Sequence, residues 1–234
     1  MHDTKAKGQP VTATIMFDLD GTLVDSLPDL AAATNNMLRD TGVRPLSMDQ
    51  IKQFVGNGLP KLVERVIYHC DLSMGQHADL CQLTLAHYNA ASSDRTVVYP
   101  GVLQALEHLR DTGCVLGVCT NKPEAPARHV LEAMGLAPYF DAILGGDSLN
   151  TRKPDPAHLE ASFAAVTPAG PQLFVGDSEV DAETAHRAQV PFLLFTEGYR
   201  KSPVADIPHT ASYSQSSELP DLVMKVLQSL DQNA

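Results

Sequence analysis

Short apolar runs alternate with amphipathic stretches along most of the chain. The runs cover residues 11–17, 115–119, 142–144, 173–175 and 192–195. They are continuously apolar, which is typical of strands buried on both faces of a parallel sheet. Helical patterns at 102–110, 124–134, 155–166 and 179–189 separate the later runs, and a last one covers 217–230. This alternation predicts an α/β fold with a doubly wound, Rossmann-like parallel sheet.

Residues 25–95 have a different pattern, with no strand-like run and several amphipathic helices. Helices are predicted near 29–40, 48–54 and 76–91, and the clearest apolar stripe is Leu59, Leu62, Val63, Val66 and Ile67. An insert that directly follows the first strand overhangs the carboxyl end of the sheet, where open α/β folds bind ligands. We therefore predict an α/β core of residues 1–24 and 96–234 with an inserted all-α helical cap domain of residues 25–95.

Composition narrows the classes of partner. The 234 residues are 44% hydrophobic and carry a formal net charge of −11. This acidity argues against a nucleic-acid partner, because phosphate backbones attract basic patches. No apolar run approaches the roughly 20 residues that cross a membrane, and the first ten residues do not resemble a signal peptide. The expectation is a soluble cytoplasmic protein, a monomer or a homodimer, with neither a membrane nor a nucleic-acid partner.

The cysteines and histidines give no sign of a zinc site. The four cysteines contain no C-x-x-C pair, and the nine histidines form no H-E-x-x-H motif. We expect reduced thiols, as in a cytosolic protein.

Acidic residues follow two of the predicted strands. Asp18 and Asp20 come directly after the first, and Asp177 and Asp181 follow the run at 173–175. One Asp beside Gly21 would be an ordinary solvated turn. If the two strands are parallel neighbours, however, Asp18, Asp20 and Asp177 converge at one sheet edge and repel one another unless a cation lies between them. A hard ion such as Mg²⁺ suits these oxygen ligands.

Two further strand exits carry complementary groups. Thr120 and Asn121 follow the run at 115–119 and offer hydrogen-bond donors for phosphate oxygens. Arg152 and Lys153 supply two cations before a predicted helix. Such pairs are common on protein surfaces, but their order after successive strands is specific.

With these residues in place, the chain resembles the haloacid dehalogenase superfamily over nearly its whole length. The four motifs of that family occur in order: Asp18-Leu19-Asp20-Gly21-Thr22, Thr120, Lys153, and Gly176-Asp177 with Asp181. The resemblance implies phosphoryl transfer to Asp18 as the nucleophile, with Asp20 as general acid and base.

The same resemblance implies roles for the remaining motif residues. Asp18, Asp177 and the backbone carbonyl of Asp20 would hold Mg²⁺, and Asp181 would support the ion directly or through water. Lys153 would neutralise charge, and Thr120 with Asn121 would donate hydrogen bonds to the phosphoryl group. Dehalogenases and phosphonate-cleaving relatives lack an acid at the position of Asp20, so its presence favours a phosphatase or a phosphomutase.

The substrate prediction depends on a loop in the predicted cap. Gly56, Asn57 and Gly58 could present backbone N–H groups to an anion, or could form an ordinary turn between helices. The loop resembles that of phosphoglycolate phosphatases, as do Tyr99-Pro100-Gly101, Thr120-Asn121-Lys122-Pro123, Gly145-Gly146-Asp147 and Gly198-Tyr199. Val180 departs from that pattern, since many relatives have Asn there.

The implied substrate is a small phosphorylated metabolite, 2-phosphoglycolate, whose carboxylate would meet the loop. The alternatives are a sugar phosphomutase, a broad phosphatase for sugar phosphates or nucleotides, and, more remotely, a non-catalytic phosphoester-binding protein.

Overall fold

The computed structural model describes residues 12–91 and 93–232. Its strands are β1 (Thr14–Phe17), β2 (Val24–Asp25), β3 (Val97–Val98), β4 (Val115–Cys119), β5 (Ala142–Leu144), β6 (Gln172–Gly176), β7 (Phe192–Phe195) and β8 (Ala211–Tyr213). Six of them form one parallel sheet in the order β5-β4-β1-β6-β7-β8, and β2 pairs antiparallel with β3. The first strand of the chain therefore lies in the middle of the sheet.

Helices fill the connections between the strands. They are α1 (Leu27–Asp40), α2 (Met48–Phe54), α3 (Leu59–His69), α4 (His77–Ala90), α5 (Val102–Asp111), α6 (Glu124–Ala133), α7 (Pro156–Ala164), α8 (Glu179–Ala188) and α9 (Leu219–Asp231). Local capping fixes several starts. The Ser47 side chain accepts from Gln50 N–H at the start of α2, and Ser178 does the same with Asp181 at α8.

Neighbouring residues of β1 show how the sheet is covered on both faces. Ile15 and Phe17 pack in one buried cluster with residues of α5, α6 and α9, whereas Met16 packs in another with residues of α7 and α8. Successive side chains of a strand point to opposite faces, so a strand between two helical layers is apolar throughout. The predicted doubly wound α/β fold is confirmed.

Helices α1 to α4, residues 27–90 and here called the helical segment, have a core of their own. The predicted stripe on α3 contributes Leu62, Val63, Val66 and Ile67 to this cluster, with Leu59 partly buried against it. The chain enters the segment after β2 and leaves it before β3, so the short β2–β3 pair ties its two ends together. The division into a core and a cap at residues 25 and 95 stays a prediction.

The remaining differences from the sequence prediction are small. Val11, the predicted start of the first strand, lies outside the described residues. The pattern missed β2, β3 and β8, which have only two or three residues each. Among the described residues, no helix is both long enough and apolar enough to span a bilayer. All four cysteines are free.

Candidate active site

Parallel pairing brings the polar strand exits together at one edge of the sheet. Phe17 of β1 pairs with Val118 of β4 on one side and with Val175 of β6 on the other. Asp18 follows Phe17 directly, and its N–H donates to the Val175 carbonyl at 2.9 Å. Residues that follow β1, β4 and β6 therefore line one cleft, with the helical segment on its opposite side.

Three buried carboxylates meet in this cleft. Asp18, Asp177 and Asp181 each offer an oxygen atom, and these atoms lie within 4.8 Å of one another. Burial, together with the charge of Asp181, raises the pKa of Asp18 to about 6 against the pull of Lys153. The pKa of Asp177 is raised well above its usual range, by burial and by the other two carboxylates. Such crowding of oxygen ligands fits a divalent cation such as Mg²⁺.

Lys153 is the cation that the chain itself supplies to this cluster. Its Nζ lies 2.8 Å from Asp18 Oδ1 and 2.7 Å from Asp181 Oδ1, and the residue is only 3% exposed. Burial works to lower the pKa of Lys153, but the two carboxylates outweigh it and raise the pKa above its usual range. The second oxygen of Asp181 accepts from the N–H and the hydroxyl of Ser178, at 3.1 and 2.6 Å. The start of α8 thus fixes the carboxylate that orients Lys153.

Asp177 is held by groups from two other loops. Its Oδ1 accepts from the Thr22 hydroxyl at 2.8 Å, and its Oδ2 accepts from the Tyr199 N–H at 2.6 Å. Gly21, at φ +93°, packs so closely that a Cβ there would lie 2.5 Å from Asp177 Oδ2. The glycine of the first motif is therefore required both by its backbone conformation and by space.

The side chain of Asp20 lies outside the three-carboxylate cluster and has partners of its own. Lys122 Nζ lies 3.0 and 3.2 Å from its two oxygens, and the Ser26 hydroxyl donates to Oδ1 at 2.6 Å. The predicted metal ligand at Asp20 is its backbone carbonyl, which this side-chain arrangement leaves unaffected. Lys122 was missed as a site residue, although it lies in a quoted motif, because nothing local connects it with a residue 102 positions away.

The two residues after β4 that were predicted to donate hydrogen bonds to phosphate oxygens differ in their contacts. Thr120 is buried, and its hydroxyl oxygen accepts from the Lys122 N–H at 3.3 Å, so its own proton can be donated to a ligand. The amide nitrogen of Asn121 instead donates to the Lys153 carbonyl at 2.9 Å, which braces the loop that carries this lysine. Asn121 Oδ1 is buried and accepts no hydrogen bond within the described structure. The geometry favours a bracing role for Asn121.

The predicted cap loop lies across the cleft from the carboxylates. Gly56, Asn57 and Gly58 all have positive φ, at +111°, +64° and +83°. Arg65 Nη1 donates to three carbonyls of the loop region, with distances of 2.8 to 3.3 Å. A Cβ on Gly56 would lie 3.9 Å from Arg65 Nη1 and 3.9 Å from Lys201 Nζ. A cation of the helical segment and a cation of the sheet edge thus both lie close to the loop.

Neither of these two cations was predicted from the sequence. Both line the cleft, and partial burial together with the charge of Arg65 lowers the pKa of Lys201. Two like charges near one loop are stabilised by an anion between them. The sequence signal was weak, because Arg65 lies on the polar side of α3 and Lys201 lies in an irregular loop.

Comparison with known proteins agrees with this geometry. The model of the family described as "Haloacid dehalogenase-like hydrolase" matches residues 15–195. This chain belongs to that family. The predicted resemblance is confirmed, and the matched region extends from β1, before the first aspartate pair, to the end of β7.

Relatives within the family share most of their length with this chain. A phosphoglycolate phosphatase of Cereibacter sphaeroides (strain ATCC 17029 / ATH 2.4.9) is 48% identical over 215 residues, which cover 91% of this chain and 98% of the relative. One from Rhodobacter capsulatus is 42% identical over 211 residues, covering 89% and 95%. The crystal structure of a predicted phosphoglycolate phosphatase from Haemophilus somnus 129PT is similar with a TM-score of 0.83 at 30% identity, covering 91% of this chain and 98% of that one.

Proposed function

We propose that this protein is a Mg²⁺-dependent phosphatase that hydrolyses 2-phosphoglycolate through a phosphorylated Asp18. The observation that carries the proposal is the ion pair between buried Lys153 and Asp18, at 2.8 Å, beside the carboxylates of Asp177 and Asp181. Phosphoryl transfer depends mainly on positioning and on charge neutralisation, and this arrangement supplies both. The names of the similar proteins support the same activity.

In the first step, Asp18 attacks phosphorus. One of its oxygens is held by Lys153, which leaves the other to form the new O–P bond. The bond from phosphorus to the substrate's ester oxygen breaks, and that oxygen takes a proton from Asp20. The Thr120 hydroxyl donates a hydrogen bond to a phosphoryl oxygen, and Lys153 neutralises charge on Asp18 and on the transferring group.

In the second step, Asp20 reverses its role. It takes a proton from a water molecule, which attacks the phosphorus of the phosphorylated Asp18. The Asp18–phosphorus bond breaks, inorganic phosphate leaves, and both aspartates return to their starting states. Asp20 is suited to this because its side chain lies outside the cluster of Asp18, Asp177 and Asp181.

The residues that would hold Mg²⁺ are Asp18, Asp177 and the backbone carbonyl of Asp20, with Asp181 as a further ligand or as the support of a bound water. The raised pKa values of Asp18 and Asp177 support this assignment, because crowded carboxylates are relieved by a cation. When bound, the ion supplies positive charge to the phosphoryl oxygens.

The second anionic group of 2-phosphoglycolate would lie at the loop of Gly56, Asn57 and Gly58. Arg65 and Lys201 both lie close to this loop, and both line the cleft that holds the carboxylates. A carboxylate there relieves their mutual repulsion, whereas an uncharged leaving group does not. These two cations favour a short substrate with a second anionic group over a sugar phosphate, whose sugar is uncharged.

A phosphate-release screen with Mg²⁺ tests the proposal against its alternatives. 2-Phosphoglycolate should give the highest kcat/KM among small metabolites, and chelation of the metal with EDTA should abolish turnover. A higher kcat/KM for sugar phosphates or nucleotides would indicate the broad phosphatase instead. Conversion of a hexose 1-phosphate to its 6-phosphate, with little release of phosphate, would identify a phosphomutase. Absence of phosphate release from every ester would favour a non-catalytic binding protein.

A further inference from the structure

Tyr88 of α4 contacts the sheet edge. It is 3% exposed although it belongs to the helical segment, and its hydroxyl oxygen lies 2.6 Å from Lys122 Nζ. The Lys122 ammonium also lies 4.6 Å from the centre of the Tyr88 ring. A buried tyrosine hydroxyl usually has a hydrogen-bond partner, and here that partner, Lys122, belongs to the sheet edge.

Lys122 has its hydrogen-bonding capacity taken up by the protein. An ammonium group has three protons, and Nζ has three acceptors: the Tyr88 hydroxyl and the two oxygens of Asp20, at 2.6, 3.0 and 3.2 Å. Lys122 is 7% exposed, so solvent does not compete with these contacts. A lysine engaged in this way acts on the substrate through Asp20 and not by direct contact.

The contacts of Asp20 make its two oxygens unequal. Oδ1 accepts from the Ser26 hydroxyl at 2.6 Å and from Lys122 at 3.0 Å. Oδ2 has only the longer contact with Lys122, at 3.2 Å. A carboxylate oxygen can accept about two hydrogen bonds, so Oδ2 is the oxygen left to exchange a proton.

We propose that Tyr88 and Lys122 are positioning residues that hold the Asp20 carboxylate so that Oδ2 serves the leaving group. The proposal rests on the role of Asp20 as general acid in the proposed function. It also assigns the helical segment a part in catalysis, because the position of α4 on the sheet edge determines where Lys122 holds Asp20. A proton donor that is displaced by about 1 Å loses much of its effect.

The test compares two esters of similar shape with leaving groups of different basicity. 4-Nitrophenolate leaves readily without a proton. Phenolate is more basic, so its departure depends more strongly on a proton donor. With Tyr88→Phe, kcat/KM should fall about 10-fold for phenyl phosphate and at most about 2-fold for 4-nitrophenyl phosphate. This ratio reports transfer to Asp18 and is independent of the later hydrolysis step. Lys122→Met should change the ratio in the same direction and further.

The matched control is Tyr139→Phe, which removes a hydroxyl that donates to Glu107 at 3.0 Å on the exposed surface. It should leave both esters unaffected. Equal losses on the two esters with Tyr88→Phe would reduce Tyr88 to a packing residue and overturn the inference. If the unaltered protein releases phosphate neither from these two esters nor from 2-phosphoglycolate, the proposed function itself fails, and this inference fails with it. If only 2-phosphoglycolate is not hydrolysed, the proposed substrate is wrong, but the positioning role is unaffected.

Discussion

The carboxyl edge of the sheet and the helical segment face each other across one cleft, but they hold charge in different ways. At the sheet edge, Asp18, Lys153 and Asp177 are buried and contact charged or polar groups at 2.6 to 2.8 Å. In the helical segment, the core is mostly leucine, valine and isoleucine, and Arg65 Nη1 donates to the backbone carbonyls of Phe54, Val55 and Gly56. Charge is therefore crowded at the sheet edge and spaced apart at the helical loop.

This difference indicates a division of labour. Buried, mutually repelling carboxylates are costly unless a cation and a reaction use them, and strongly shifted pKa values cluster at functional sites. A helical segment with its own apolar core can vary the residues that face the cleft without disturbing that cluster. The comparison predicts that substitutions at the sheet edge affect the chemical step for every substrate, whereas those at the loop affect the choice of substrate.

The largest effect is expected for Asp18→Asn. The amide cannot form the phosphorylated intermediate, so kcat should fall by at least about 10³-fold on every ester. The fold should be retained, because the substitution relieves repulsion with Asp177 and Asp181. Phosphate release and thermal unfolding measure the two effects. Residual turnover within about 10-fold of the unaltered protein would rule out Asp18 as the nucleophile.

A second prediction concerns the stabilisation of the fold by Mg²⁺. At a concentration 100 times its Kd, the ion should raise the free energy of unfolding by about 2.7 kcal/mol. Asp177→Asn should remove most of this gain, while Asp111→Asn on the exposed surface should not. Calorimetry with and without Mg²⁺ at pH 7.5 measures it. An unchanged gain in Asp177→Asn would place the ion elsewhere.

The same carboxyls determine how the gain depends on pH. The pKa of Asp18 is raised in the folded state, so in the metal-free protein its contribution to stability is present below about pH 4. This contribution is lost as the pH rises through about 6. In the same range Asp18 becomes ionised, so Mg²⁺ binding begins to compensate for the lost stability. The gain from Mg²⁺ should therefore be smaller at pH 5 than at pH 7.5.

A smaller effect is expected across the cleft, at Lys201. Lys201→Met should raise the KM for 2-phosphoglycolate about 10-fold, since one ion pair with the carboxylate is lost. The KM for phenyl phosphate should change by less than about 2-fold. Lys225→Met, on the exposed side of α9, is the matched control. If the KM rose equally for both substrates, Lys201 would have no part in selecting the substrate. The contrast between the two regions would then weaken.

A last prediction concerns stability beside the sheet edge. His158 is buried, with Nε2 3.0 Å from the Gly145 carbonyl, and burial together with the charge of Lys153 lowers its pKa to about 4. Because this folded-state pKa is below the unfolded value of about 6.5, its contribution is present above pH 6.5 and is lost as the pH falls towards 4. Between pH 7 and 4.5, the unaltered protein should lose about 2 kcal/mol more stability than His158→Gln. Urea unfolding at the two pH values checks this, and parallel losses in both proteins would contradict it.

Much of the fold could be predicted because its signals are local. A parallel strand covered on both faces must be apolar at every position, so β4, β5 and β7 were predicted with their observed bounds. The stripe on α3 follows in the same way from helical periodicity. Strands of two or three residues, such as β2, β3 and β8, are too short to show a pattern, and their pairing depends on neighbours that are distant in the chain.

The candidate site was predictable only in part, for the same reason. Asp18, Thr120 and Asp177 each follow an apolar run, and parallel strands of one sheet end at a common edge. Lys122 and Tyr88 follow no such rule. Their contacts join residues 102 and 34 positions apart, and these depend on where α4 lies on the sheet.

The sequence by itself determined the α/β alternation and the acidic residues that follow β1 and β6, because burial and periodicity act on neighbouring residues. Tertiary structure alone decided that Asp20 pairs with Lys122 and not with the carboxylate cluster, and that Arg65 and Lys201 lie close to the same loop. A side chain's charge is written in the sequence, but its partner depends on strand order and on the packing of the helical segment. No local pattern encodes either.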